Sequence, residues 1–225
     1  MKHPTLIVAT VAALGLAASA APAAVVAGYA FTGNSLAPTT VDANADATSI
    51  SGSPTVNNQP TSVVTTATNV GYATQPVLVA SRASSTEATV PANVYFTFTV
   101  TADDGSELDL DSLTFDVARG GGATPRTYDV YTSVDNFATS LTGGPVVVGT
   151  QRPTFTAASV DLSGAAYQDL DAITFRVRVY APDPGQSVDF DNVNLNGDVS
   201  AVAVPEPAGV GAAGAASLML LRRRR

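Results

Sequence analysis

The sequence predicts an all-β fold: a single jelly-roll-like β-sandwich flanked by an N-terminal signal helix and a C-terminal hydrophobic helix. Three observations carry that expectation. Only 13% of the 225 residues are charged, while Thr, Ser, Ala and Val abound and 18 Gly and 14 Pro punctuate the chain; this is the composition of pleated, half-buried strands joined by turns. Apolar residues alternate with polar ones in several short runs, the period of a strand with one face on a core. Roughly eight or nine such runs follow one another at short spacing with no convincing interior helix, and no period repeats often enough for a propeller or solenoid.

The chain divides into three parts: a signal segment at 1–23, a sandwich domain at 24–202 and a tail at 203–225. The start reads MKHPT, LIVATVAALGLAA and SAAPAA. A basic end, a short apolar run and small residues before a cleavage point are the three parts of a secretory signal, with Ala20 or Ala23 as the residue before the cut. A bilayer span needs about 20 apolar residues, so this run is too short for a stable one.

Residues 32–74 are rich in Thr, Ser, Asn, Ala and Pro with little periodicity, which predicts long loops carrying one or two short strands. From Asn93 the pattern sharpens. In NVYFTFTVT, Phe96, Phe98 and Val100 share one parity and Tyr95, Thr97, Thr99 and Thr101 the other. Leu113, Phe115 and Val117 repeat this with Asp116 outward. RGGGATPR reads as a loop, and TYDVYTS as a strand with Tyr128 and Val130 opposite Asp129 and Tyr131. PVVVG and TFTAASVDL are further short strands. AITFRVRVY places Ile173, Phe175, Val177 and Val179 inward and Thr174, Arg176, Arg178 and Tyr180 outward. In SVDFDNVNLNG the apolar parity changes between Phe190 and Val193, which predicts a β-bulge near Asp191.

The tail reads VPEP, AGVGAAGAASLMLL and RRRR. Pro205 and Pro207 break regular structure ahead of the apolar stretch. The stretch from Ala208 to Leu221 is too short to span a bilayer comfortably, and Arg222, Arg223, Arg224 and Arg225 would stay on the cytoplasmic side and arrest export. Val204, Pro205, Glu206 and Pro207, followed by an apolar segment and a basic end, resemble the PEP-CTERM sorting signal of Gram-negative bacteria. That resemblance implies a membrane-embedded exosortase-like protease that recognises Pro205, Glu206 and Pro207, with the arginines as the membrane stop. It also implies prior action of signal peptidase, and delivery through transient anchoring to the cell surface or extracellular matrix. The body is similar to a group of planctomycete PEP-CTERM proteins through GYAFTGNSLAPT, YFTFTVTADDGSELDLDSLTFD, VYTSVDNF and VDFDNVNLNG. This implies a galactose-binding-type jelly roll and no particular chemistry.

Composition excludes several functions. His3 and Lys2 are the chain's only His and Lys, both in the signal segment, and Cys and Trp are absent. The body therefore lacks a Ser-His-Asp or Cys-His triad, a Schiff-base lysine and any His or Cys zinc ligand. Eighteen acids against six arginines leave residues 24–202 near −12, which repels nucleic acid and anionic membranes.

The remaining candidates are carboxylates and an aromatic face. Asp103, Asp104, Glu107, Asp109 and Asp111 invite a calcium reading but lack the EF-hand spacing, and they read more simply as a turn at Gly105 followed by a strand with acids outward. Asp189 and Asp191, beside the predicted bulge, are a second calcium candidate. No cofactor is assigned. Paired carboxylates for glycoside hydrolysis are disfavoured by the lack of a Trp-lined pocket to raise one pKa. The row Thr97, Thr99 and Thr101 is ordinary for an exposed strand. Tyr95, Tyr131 and Tyr180 with Arg176 and Arg178 would line a sugar-binding face if their strands share one sheet. The expectation is thus a non-enzymatic, exported surface or matrix protein, with an extracellular polysaccharide-binding module as the alternative.

Overall fold

The computed structural model describes residues 24–53, 63–67, 76–81, 94–122, 126–181 and 186–202. The signal segment 1–23, the sorting motif Val204–Pro207 and the stop Arg222–Arg225 lie outside the described residues, as do both flanking helices. Among the described residues no helix is long and apolar enough to cross a membrane.

Thirteen strands are present among the described residues. They are β1 (Ala24–Tyr29), β2 (Thr40–Val41), β3 (Ala45–Ala47), β4 (Ser51–Gly52), β5 (Val63–Ala67), β6 (Val77–Ser81) and β7 (Tyr95–Ala102), then β8 (Ser106–Gly120), β9 (Arg126–Thr132), β10 (Val146–Val148), β11 (Thr156–Asp161), β12 (Ala172–Tyr180) and β13 (Ser187–Ala201). The excess over the expected eight or nine comes mainly from β2, β3 and β4, which are two or three residues long. Strands that short contain no full alternation, so residues 32–74 read as mostly loop.

A seven-stranded sheet runs β11-β8-β13-β1-β2, with β6 also beside β13 and β5 beside β6; a six-stranded sheet runs β10-β9-β12-β7-β3, with β4 also beside β7. All the pairings between these strands are antiparallel. From β7 to β13 the chain passes repeatedly between the sheets, so neighbours in sequence often lie in opposite layers. The fold is the predicted jelly-roll-like β-sandwich.

The core is where the alternation places it. Phe96, Phe98 and Val100 of β7 and Ile173, Phe175, Val177 and Val179 of β12 are buried against Leu113, Phe115, Val188 and Phe190 of the other sheet. Aromatic rings bridge the layers. Phe96 meets Phe190 edge-on at 5.0 Å, Tyr29 meets Phe98 at 5.2 Å and Phe115 meets Tyr128 at 5.3 Å. Such pairs add roughly 0.5–1.5 kcal/mol each beyond their burial.

The longest pairing, β8 with β13, contains two irregularities. On β13, three steps from Asp191 to Asn194 oppose two from Asp116 to Thr114. Asn192 takes a left-handed φ of 48° there. This is the predicted bulge, and it returns Val193 and Leu195 to the core side. The second extra residue is on β8: Asn196 pairs with Ser112 and Gly197 with Leu110, skipping Asp111. It turns Leu108 and Leu110 inward together with Leu113 despite their opposite parity. The freed Asp111 carbonyl accepts a hydrogen bond from the Leu162 amide at 2.8 Å.

Candidate ligand-binding face

The strands of the sugar-face expectation share the six-stranded sheet, with β12 between β7 and β9. Arg176 is opposite Thr97 on one side and Tyr131 on the other; Arg178 is opposite Tyr95 and Asp129. Since alternate residues of β12 point outward, both arginines stand on the solvent side, each half-buried. They reach diagonally to aromatic rings. The Arg176 guanidinium carbon is 4.8 Å from the Tyr95 ring centre, and that of Arg178 is 3.6 Å from Tyr131. Tyr180 occupies the next outward position of β12, opposite Thr127.

A fourth aromatic, which sequence reasoning missed, completes the stack. Phe137 lies 3.6 Å from the Arg176 guanidinium carbon, ring centre to carbon. It belongs to the segment after β9, where a single 3-10 turn at Ser133–Asp135 folds back over the sheet. The Thr174 amide donates to Ser133 Oγ at 2.9 Å, fastening the turn to β12. Asp135 then receives the amides of Ala138 and Thr139 at 3.1 and 2.7 Å. These bonds, led by the Thr139 side chain, hold its carboxyl below the usual carboxylate range. Asn136 and Phe137 have consecutive left-handed φ values of 59° and 60°. A bulky residue adopts that conformation at a cost of order 1–3 kcal/mol, so its contact with Arg176 is held by the surroundings. The signal for it was Asp-Asn-Phe itself, an Asx-type turn with Asn free to go left-handed.

Beneath the stack lies a polar anchor. Asp129, only 2% exposed, accepts from Tyr131 Oη at 2.8 Å and from Ser140 and Thr142 hydroxyls at 2.6 Å each. Burial, then the bond and charge of Asp129, raise the Tyr131 phenol above its ordinary value, while Arg178 opposes this. Arg178 Nη2 donates to the Phe137 carbonyl at 3.3 Å. On the β7 side the threonines satisfy one another: Thr99 and Thr174 hydroxyls are 2.8 Å apart, and Thr97 donates to the Phe175 carbonyl at 2.7 Å.

The acidic candidates do not form one cluster: Glu107 and Asp109 share a neighbourhood with Asp169 and Asp171, and burial followed by these charges raises the Glu107 carboxyl above its usual range, while the others lie apart. Asp103 and Asp104 lead into the turn at Gly105, which the Ser106 amide closes on the Asp103 carbonyl, and Asp111 is exposed at the β8 bulge. Asp109 accepts from the Asp169 amide and the Ser200 hydroxyl, both at 3.1 Å. Asp189 is fully buried, accepts from Ser187 Oγ at 2.5 Å and pairs with Arg152 at 3.2 Å. Asp191 instead opposes Asp116 across the strand pair, and burial, with the Asp116 charge adding, raises its carboxyl while the Asn192 amide opposes. Among the described residues no three His, Cys, Asp or Glu groups converge as metal ligands.

Two depressions lie elsewhere. One of about 330 Å³ sits over the seven-stranded sheet, lined by Thr114, Asp116, Ser159, Asn192 and Asn194 among others. Another of about 350 Å³ opens between the edge strands β10 and β11. Neither includes the arginine–aromatic stack, which is a platform on a sheet face.

The fold and this face define a β-sandwich that presents stacked cations and rings on one sheet. No protein-family model matches the chain, and no curated protein matches it. Among solved structures it is similar to the xylan-binding CBM22-1 domain of Paenibacillus barcinonensis Xyn10C, at 8% identity over 83% of this chain and 99% of that one, with a TM-score of 0.44. It is also similar to the K3 adhesin domain of Lys-gingipain from Porphyromonas gingivalis W83, at 19% identity over 76% and 98%, TM-score 0.43. A third is the family 11 carbohydrate-binding module of Clostridium thermocellum in complex with a mixed-linked tetrasaccharide, at 16% over 80% and 100%, TM-score 0.36.

Proposed function

We propose that the sandwich is a non-enzymatic binding module for extracellular polysaccharide, exported by its signal segment and delivered by its PEP-CTERM-like tail. The observation that carries this is the gathering of Tyr95, Tyr131 and Phe137 around Arg176 and Arg178 on one outward sheet face. Ring faces stack on the apolar faces of sugars, and guanidinium and hydroxyl groups hydrogen-bond sugar hydroxyls. A polymer lying along a sheet needs a platform of this kind, and no enclosed cavity. The plainer surface or matrix role, with a body that binds nothing, accounts for export but gives the strained placement of Phe137 no purpose.

A glycan array probed with the full chain, with and without calcium, tests the proposal. Binding to at least one polysaccharide is expected, weakened roughly tenfold by Tyr131→Ala or Phe137→Ala, on the scale of one stacked ring. An array with no signal, or binding that both variants leave intact, would refute it.

A further inference from the structure

The two arginines of the face are not equivalent. Arg178 is opposite the buried carboxylate of Asp129 across the β9–β12 pair, and its Nη2 donates to the Phe137 carbonyl at 3.3 Å. Arg176 has the neutral Thr97 and Tyr131 as its cross-strand neighbours. Among the described residues it has no ion pair and no hydrogen-bond acceptor, only the rings of Phe137 at 3.6 Å and Tyr95 at 4.8 Å. Asp135, two residues before Phe137, accepts from the amides of Ala138 and Thr139.

Ring contacts of this kind fix a guanidinium without using its donors. Cation–π attraction acts through the flat face, while the N–H groups radiate in the plane of the group. Phe137 and Tyr95 thus hold Arg176 in place and leave its fork available at a partly open surface. A fixed guanidinium fork with free donors matches an oxyanion in bidentate fashion, and that match is roughly twice as strong as a neutral hydrogen bond. Neutral sugar hydroxyls can accept from the same group, but without the charge that strengthens the contact with an oxyanion.

We infer that Arg176 reads an anionic group on the bound polymer, so that the ligand is a polysaccharide whose sugars carry carboxylates or sulfate esters. The inference rests on the polysaccharide-binding reading and narrows it. Residues 24–202 carry eighteen acids against six arginines. Polyanions are therefore repelled at long range, and any retention of one must come from a local site.

The test is retention of the full chain on immobilised polygalacturonate and on the same polymer after reduction of its carboxyls to alcohols, with dextran sulfate and dextran as the sulfate pair. Polygalacturonate or dextran sulfate is expected to hold the protein at least about tenfold more tightly than its uncharged counterpart. Arg176→Gln should abolish that difference, with a cooperative unfolding transition showing that the variant is still folded. Arg176→Lys, which keeps the charge and loses the fork, should retain part of it. Whichever anionic polymer shows the preference identifies the oxyanion. Equal binding of charged and uncharged polymers, or an Arg176→Gln protein that still prefers the anion, would overturn the inference and leave the general carbohydrate reading standing. No retention on any array polysaccharide would remove both.

Discussion

Arg152 places its guanidinium 3.2 Å from the carboxylate of Asp189, closing over a side chain of β13 that is otherwise removed from solvent. The cation is 19% exposed and the anion 0%, so the pair is close to buried. Removing one partner of such a pair costs about 3–5 kcal/mol, because the other charge stays desolvated. Water reaching the arginine side places Arg152→Ala near the lower figure. Urea denaturation should show a loss of about 3 kcal/mol; a loss under about 1 kcal/mol would mean that Asp189 does not depend on the arginine for its place in the fold.

Gly197 tests the second irregularity of the β8–β13 pair. A Cβ there would lie 2.8 Å from Leu110 Cα and closer still to the Asp109 carbonyl oxygen. Both obstacles are backbone and cannot swing aside. Gly197→Ala should destabilise by about 1–3 kcal/mol, the usual cost of forced overpacking. Gly164 is the control: it has φ −70°, ψ 151° and open space where a Cβ would go. Its alanine variant should stay within about 0.5 kcal/mol of wild type.

Four strands show what was readable in advance. β7 and β12 have unbroken alternation over eight and nine residues, so their faces, and with them Tyr95, Arg176 and Arg178, were evident from parity. The bulge of β13 was evident because Phe190 and Val193 both had to face inward. The matching irregularity of β8 was not. Leu108 and Leu110 lie in an acidic stretch that looked like a turn and a solvated strand, and only pairing with β13 shows that the core continues there. Phe137 was hidden for a different reason. Its position comes from two left-handed residues and a turn fastened to β12 by a long-range bond, and no periodicity records such a contact. Arg126, fully buried at the start of β9, was likewise indistinguishable from the exposed arginines by sequence alone.

Tyr29 is the group expected to set the alkaline limit of the fold. Its hydroxyl donates to the Thr48 carbonyl at 2.8 Å, and burial raises its pKa well above the ordinary phenol value. The neutral phenol is therefore favoured in the fold. Its contribution is fully present below pH 10 and declines as pH rises above that, because the unfolded tyrosine ionises first. Tyr128, raised by burial, and Tyr131 shift in the same direction. The unfolding midpoint should fall steeply above pH 10. Tyr29→Phe should cost about 1 kcal/mol at neutral pH, through the lost hydrogen bond, and flatten the alkaline decline. A variant whose decline matches wild type would exclude Tyr29 as the group responsible.

The proposed sorting route makes a prediction independent of the sandwich. The fourteen residues from Ala208 to Leu221 would extend only about 21 Å as a helix, against a hydrocarbon core of about 30 Å. On this route a segment that short would hold a chain in the bilayer weakly, and the four arginines that follow would supply the stop by remaining cytoplasmic. If a protease then acts at the Pro205-Glu206-Pro207 element, mass spectrometry of protein collected outside the cell should find the body without Arg222–Arg225. Replacing Glu206 and its flanking prolines with alanine should leave the full-length chain in the membrane fraction. Serine in place of the four arginines should let the chain pass through unprocessed. Recovery of an intact C-terminus on released wild-type protein would rule out the processing step, because a tail that is never cut cannot be a transient anchor.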